Sequence, residues 1–335
     1  MKKQNHRVLI ALVAGVVANV PALASEEIDT CSKALEIEQR TTKNYSLSQD
    51  IDCSGYTLTA PIRFNGTLDG RDYAIRNLTI DTNSRYAGFF SELDGATVKN
   101  LTFENITLKV GRNVNAAGIL AGDIQSSKLK NVIITHSQVQ AIGETVPQGV
   151  GIVAGRIGKH SKAESIKGFH SNLWVGKSSH VGGLFGHAAN SDMVTLNTSN
   201  NQLYVEGDSR TNLGSIAGYL TDTTLSKVNS TDNLFSAPLV DKGNIGMLVG
   251  QSVTGRLTGA TLARNVLDTQ RQTKHLRLGI ISGYIDEPKD SAESPSIQDI
   301  TYYGDSSLDW FNSKDIVYTD NLVKAEVSSI IQLIH

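Results

Sequence analysis

From Gly88 to Ile285, apolar and polar residues alternate in short runs separated by turn residues. One stretch offers Gly118–Gly122, Leu129–Thr135 and Gln138–Ile142; a later one offers Gly246–Gly250, Arg256–Leu262 and Asn265–Asp268. Val, Ile, Leu and Thr alternating with polar residues predict strands with one buried face. No stretch carries two amphipathic helical segments, which excludes the helical-repeat solenoids.

The alternation is itself periodic. A phrase Gly-x-aliphatic-x-Gly returns at Gly118-Ile-Leu-Ala-Gly122, Gly151-Ile-Val-Ala-Gly155, Gly182-Gly-Leu-Phe-Gly186, Gly214-Ser-Ile-Ala-Gly218, Gly246-Met-Leu-Val-Gly250 and Gly279-Ile-Ile-Ser-Gly283. A degenerate copy starts at Gly88, and successive first glycines lie 30, 33, 31, 32, 32 and 33 residues apart. A fixed period of this kind means one supersecondary unit stacked on its neighbours. Three strands per repeat, stacked in register, predict a parallel β-helix; a propeller blade would need about 40 residues and four strands. The β-helix is expected from Ser46 to Ile285, with Leu120, Val153, Leu184, Ile216, Leu248 and Ile281 stacked inside. Seven coils at roughly 4.8 Å per strand spacing would rise about 34 Å.

A second ladder supports this register. Asn201, Asn233 and Asn265 fall 32 residues apart, with Asn105, Ser137 and Asn172 at about the same place in earlier copies. Asn tolerates left-handed turns, and stacked amides can bond from coil to coil. The periodicity marks this row as structural.

The phrase Gly182-Gly-Leu-Phe-Gly186 resembles the GLUG motif of bacterial secreted and surface proteins, including regions of large adhesins and immunoglobulin A proteases. The lead-in is similar to the same group: Tyr45-Ser-Leu-Ser-Gln-Asp50-Ile-Asp52, Phe64-Asn-Gly66-Thr-Leu-Asp69-Gly70, Tyr73-Ala-Ile75 and Leu78-Thr-Ile80. The resemblance covers residues 45 to 285. It implies an all-β chain, a right-handed parallel β-helix of the pectate-lyase type, in a secreted or cell-surface setting. It implies little about ligand or reaction. This chain is short and nearly all repeat, whereas family members often carry the repeats inside very long chains.

The start of the chain reads as a signal peptide, residues 1–24: Lys2, Lys3 and Arg7, an apolar stretch from Val8 to Val20, and Ala22-Leu-Ala24 as the cleavage site. The expected division is then 25–87, an N-terminal cap and first coils; 88–285, the repeats; and 286–335, a C-terminal loop and capping segment. Export by the Sec route to the cell surface or medium is expected, with the periplasm as an alternative, and no later segment is apolar enough to span a membrane as a helix. The whole chain carries a formal charge of −2, and loss of the three basic leader residues makes the mature chain −5. With no basic stripe, a nucleic-acid partner is not expected.

Cys31 and Cys53 are the only cysteines, both before the repeats. In an exported chain they read as a disulfide that staples the N-terminal cap, where an open coil would expose core and strand edges. At the other end the period is lost after Gly283. Asp286–Pro295 reads as a surface loop, Thr301–Tyr303 and Leu308–Phe311 are rich in aromatics, and Asp320–Ile334 reads as an amphipathic helix with Asp320 as N-cap.

The pectate-lyase fold often carries polysaccharide lyases and hydrolases. Such chemistry needs converging carboxylates, or Ca²⁺ with a nearby basic residue. The position after each closing glycine reads Asp123, Arg156, His187, Tyr219, Gln251, Tyr284, which is no carboxylate ladder. The close acidic pairs, Asp50/Asp52, Glu92/Asp94 and Glu206/Asp208, do not recur in adjacent coils, and Asp69 fits a turn. No catalytic residue and no cofactor is assigned. Five histidines, His136, His160, His170, His180 and His187, fall in three successive coils. His136 and His170 share nearly the same repeat position and are the weak metal candidates, although the local ligand spacing of a metal site is missing. Trp174 and Tyr204 occur at equivalent places, in Leu173-Trp-Val175 and Leu203-Tyr-Val205, and alternation points both outward. They are the binding candidates. The favoured reading is an exported, non-enzymatic binding or adhesive protein engaging a glycan or protein partner through a lateral face; a polysaccharide-acting lyase or hydrolase is the alternative, and a structural envelope component a third.

Overall fold

The computed structural model describes residues 25–142, 147–207, 210–240, 242–268, 276–286 and 296–303, and two short strands beyond. The expected signal peptide at 1–24, most of the expected surface loop at 286–295 and the aromatic stretch around Trp310 lie outside the described residues.

The protein is a parallel β-solenoid. Every strand pair joins a residue to its counterpart about one coil later, and all pairs are parallel. One coil runs through Ala116–Ala117, Ala121–Gln125, Lys128–Thr135 and Gln138–Ala141. Repeated along the axis, these give four sheets, here faces 1 to 4 in that order. The coil therefore has four strands where three were expected. The Gly-x-aliphatic-x-Gly phrase is a corner and not a strand: its first glycine closes face 1, its aliphatic centre turns inward, and its second glycine lies in face 2.

Close approach explains both glycines. A Cβ on Gly118 would come within 2.3 Å of Ala154 Cα in the next coil, and one on Gly186 within 2.3 Å of Val150 N in the previous coil. Backbone in contact on both sides leaves no room for a side chain. Leu120, Val153, Leu184, Ile216, Leu248 and Ile281 are all buried, as the register required.

The corner between faces 3 and 4 corrects the asparagine ladder by one residue. The stacked, buried positions are Ile106, Ser137, Ser171, Asn201, Asn233 and Asn265. The left-handed turn is made by the residue before each: Asn105, His136, His170, Asn200, Asp232 and Arg264 have φ between 47° and 56°. Asn105 is thus the exposed turn residue and Asn172 a face-4 strand residue, outside the ladder. Within it, Asn201 Nδ2 donates to Asn233 Oδ1 at 3.2 Å, and Asn233 Nδ2 to Asn265 Oδ1 at 2.9 Å. Each side-chain oxygen also accepts the backbone N–H of the preceding coil, as in Asn201 N to Asn233 Oδ1 at 3.2 Å.

Strand pairing runs past the expected Ser46–Ile285 span at both ends. Ser25–Ile28 pairs with Asn44–Leu47, and between them the short helix Cys31–Leu35 is capped by the Thr30 side chain. Cys31 and Cys53 form a disulfide and are buried, tying that helix to the first coil. Tyr45, Phe64, Phe90, Phe89 and Phe103 pack beside it with neighbouring ring centroids 4.9 to 6.0 Å apart. At the other end, Ser296–Tyr303 pairs with Arg256–Ala263, so the coil resumes after an insertion. The expected helix at 320–334 is corrected: Glu326–Val327 and Gln332–Ile334 are strands that pair with Ser296–Tyr303. Edge pairing satisfies backbone groups that a helix would leave open on the last coil.

Candidate functional site

Face 4 is built from Thr107–Val110, Gln138–Ala141, Asn172–Val175, Gln202–Val205 and Leu234–Ser236. Leu108, Val139, Leu173, Leu203 and Phe235 point into the core. Alternation then turns Lys109, Gln140, Trp174, Tyr204 and Ser236 outward, and the register stacks them in one row. Trp174 and Tyr204 are direct neighbours across adjacent coils. Trp174 is 46% exposed, among the most exposed large apolar side chains of the described residues.

Two residues further on, the ladder continues through Gly176 N to Ala141 O and Glu206 N to Val175 O, both at 2.9 Å. This sets Ile142, Gly176 and Glu206 in a second row beside the aromatic one. With no side chain at Gly176, the row has a gap between Ile142 and Glu206. A cavity of about 340 Å³ opens there, lined by Ile142, Trp174, Val175, Tyr204 and Glu206. Sequence reasoning found the two rings, named Glu206 only as half of an acidic pair with Asp208, and missed Ile142 and Gly176; all three sit at or past strand ends. The signal available was their shared offset, two residues after Gln140, Trp174 and Tyr204.

A second cluster sits where the outward sides of faces 1 and 2 meet. Face 1 contributes His180, Asn212 and Asn244 in register; face 2 contributes Asp123, Arg156, His187, Tyr219 and Gln251. His180 stacks on Tyr219 at 4.8 Å between centroids, and His187 meets Tyr219 edge-on at 5.0 Å. Asn212 Nδ2 lies 3.1 Å from His180 Nδ1 and 3.1 Å from Gln251 Oε1, and Asn244 Nδ2 donates to Asn212 Oδ1 at 2.7 Å. Burial, with the nearby His187, pushes His180 down to about 3. Burial, with the Arg156 charge, pushes His187 down to about 4. Tyr219 is raised by burial and by Asp286 and Asp222. Both imidazoles are therefore neutral at ordinary pH, and His187 Nε2 is buried with no hydrogen-bond partner among the described residues. The two histidines meet because they flank one glycine corner, seven residues apart in the chain.

His136 and His170, the metal candidates, stack with ring centroids 5.1 Å apart and planes 18° from parallel. Both are exposed turn residues. Among the described residues, no group of three or more His, Cys, Asp or Glu is placed to hold a metal ion.

Of the carboxylates singled out from the sequence, Asp50, Asp52, Asp69 and Glu92 are held by local structure, and Asp208 lies outside the described residues. Asp50 pairs with Arg76 at 2.9 Å, Glu92 with Arg63 at 3.0 Å, and Asp69 with Lys99 at 3.0 Å. Asp52 accepts from Ser54 and Asn77. Asp69 also accepts from Arg71 N and Asn100 Nδ2, which fits the turn role. Glu206 is the one carboxylate at the face-4 cavity among the described residues. No helix of the described residues is long and apolar enough to cross a membrane.

No protein-family model matches the chain, so the likeness of Gly182–Gly186 to the GLUG motif rests on the residues themselves. The chain is similar to a protein named halomucin from Haloquadratum walsbyi, with 32% identity over 146 residues. The match covers 37% of this chain and spans only 2% of that protein's length.

Proposed function

We propose that this chain is an exported, non-enzymatic binding or adhesive protein that engages a glycan or protein partner through face 4. The observation that carries this reading is the register-matched pair of an exposed Trp174 and a half-buried Tyr204 beside a cavity. Rigid aromatics on a fixed scaffold lose little freedom on binding and dominate interface energetics. Export is supported by the leader-like residues 1–24 and by the Cys31–Cys53 disulfide. The partial likeness to halomucin fits a place at or outside the cell surface. The division into cap (25–87), repeats (88–285) and C-terminal segment (286–335) belongs to the same reading, with the repeats as a rigid carrier for the face.

The alternative of a polysaccharide lyase or hydrolase asks for paired acids; Asp50, Asp52 and Glu92 of the first coils are engaged in ion pairs and turns, and Asp208, the sequence partner of Glu206, lies outside the described residues. The test is attachment of the mature chain, from Ser25 onward, to a glycan array and to cells, with Trp174 and Tyr204 both replaced by Ser. Loss of attachment with unchanged melting is expected. Release of new reducing ends or unsaturated products, abolished by one Asp or Glu substitution, would overturn the reading.

A further inference from the structure

We propose that the face-4 cavity receives an organic cation: an alkyl or quaternary ammonium group presented by the partner. The inference rests on face 4 being the binding surface and names the chemistry that the surface selects.

Four features point the same way. Trp174 and Tyr204 line the cavity, and the π-faces of such rings attract a desolvated cation, Trp most strongly. Ile142 and Val175 supply apolar surface for methyl or methylene groups. Glu206 brings a carboxylate that forms no ion pair or side-chain hydrogen bond with any described residue. Among the described residues that line the cavity none is Lys or Arg, so none of them competes for the charge of a cation. Size narrows the choice further. At about 340 Å³ the cavity is at the small end of ligand sites, enough for one head group or one side chain. A neutral sugar would gain ring contact and leave the Glu206 charge unanswered; a uronate would be repelled by it. Gly176 adds no side chain to the row between Ile142 and Glu206, and a Cβ there would lie 3.3 Å from the Ile142 backbone.

The experiment is a ligand-observed NMR titration of the mature chain with three probes: choline, Nα-acetyl-lysine amide and 3,3-dimethylbutan-1-ol, the neutral isostere of choline. At least one cation should bind several-fold more tightly than the neutral isostere. Trp174→Ala should weaken that binding by about tenfold. Glu206→Gln, an exposed and conservative change, should remove most of the preference for cation over isostere and flatten the salt dependence. Tighter choline binding identifies a quaternary head group as the source, and tighter lysine-amide binding identifies a protein side chain. Equal binding of cation and isostere, or Glu206→Gln behaving as wild type, overturns the inference. If the Trp174/Tyr204 double variant then still loses attachment, the binding face stands and only the cation chemistry falls.

Discussion

Asn233 gives the sharpest test of how the coils are joined. Its side chain is 1% exposed and works in both directions along the axis. The amide donates to Asn265 Oδ1 at 2.9 Å and Thr198 O at 3.2 Å; the oxygen accepts Asn201 N and Asn201 Nδ2, each at 3.2 Å. In Asn233→Ala most of these partners keep another bond. Asn201 Nδ2 still reaches Gly168 O at 2.8 Å, and Asn265 Oδ1 still accepts Asn233 N at 3.1 Å. The buried Asn201 N–H, however, loses its acceptor. An orphaned buried donor costs about 1–3 kcal/mol, and the lost amide packing adds roughly 1 kcal/mol. Asn233→Ala should therefore destabilise by about 2–4 kcal/mol. Asn233→Ser should cost no more than half of that, because serines in this row already accept the same backbone bond. Ser137 N donates to Ser171 Oγ at 3.2 Å, and Ile106 N to Ser137 Oγ at 3.0 Å. Asn233→Asp should be worst, since it sets a buried carboxylate against Asn265 Oδ1 and Thr198 O. Hydrogen exchange of the amides at 199–205 reads the effect locally, and urea unfolding reads it globally. Equal losses for the Ala and Ser variants, or an Ala variant within about 0.5 kcal/mol of wild type, would refute the acceptor argument.

Three further outcomes are expected. His187 is held near 4 in the folded chain against about 6.5 unfolded, so the unfolded state binds the extra proton; stability should be full above pH 6.5 and fall by roughly 3 kcal/mol towards pH 4, with His180 adding to the loss down to about pH 3. His187→Gln should flatten that slope in pH-dependent melts, and parallel curves for variant and wild type would count against it. Leu184→Asp buries an unpaired charge in the central core and should unfold the neighbouring coils at a cost of several kcal/mol; a wild-type melt would mean that the register is wrong. Cys31→Ser with Cys53→Ser should remove about 3 kcal/mol from the N-terminal end and raise exchange there, leaving residues 180–260 protected; uniform loosening would remove the staple argument.

The period and the core row were legible because one aliphatic position must stay inside in every coil, from Leu120 to Ile281. The strand count was not, because Gly118–Gly122 has the length and alternation of a strand, and only contact with adjacent coils turns it into a corner. The ladder was misplaced by one residue in its early copies: Asn105 and Ser137 look equivalent, yet the stacked site is occupied by Ile106, which needs no amide of its own. Asp320–Ile334 shows the reverse error, an apolar spacing compatible with a helix, where edge pairing makes strands of Glu326–Val327 and Gln332–Ile334. Trp174 and Tyr204 could be found by their common offset from the repeat. Ile142 and Glu206 share an offset too, two residues past that row, but they lie beyond the strand ends, where alternation no longer marks a face.

The first and last described strands lie at opposite ends of the stack, Ser25–Ile28 at one and the strands beyond Ser296 at the other. Tension between them pulls across the hydrogen-bond ladders, so coils peel singly and do not shear together. Each coil released exchanges a rise of about 4.8 Å for roughly 105–115 Å of extended chain. A surface-tethered molecule of this build would lengthen in steps under flow, dissipating work while the remaining coils keep their shape. The Cys31–Cys53 link carries force past the residues between them, so that segment adds no length when the N-terminal end yields.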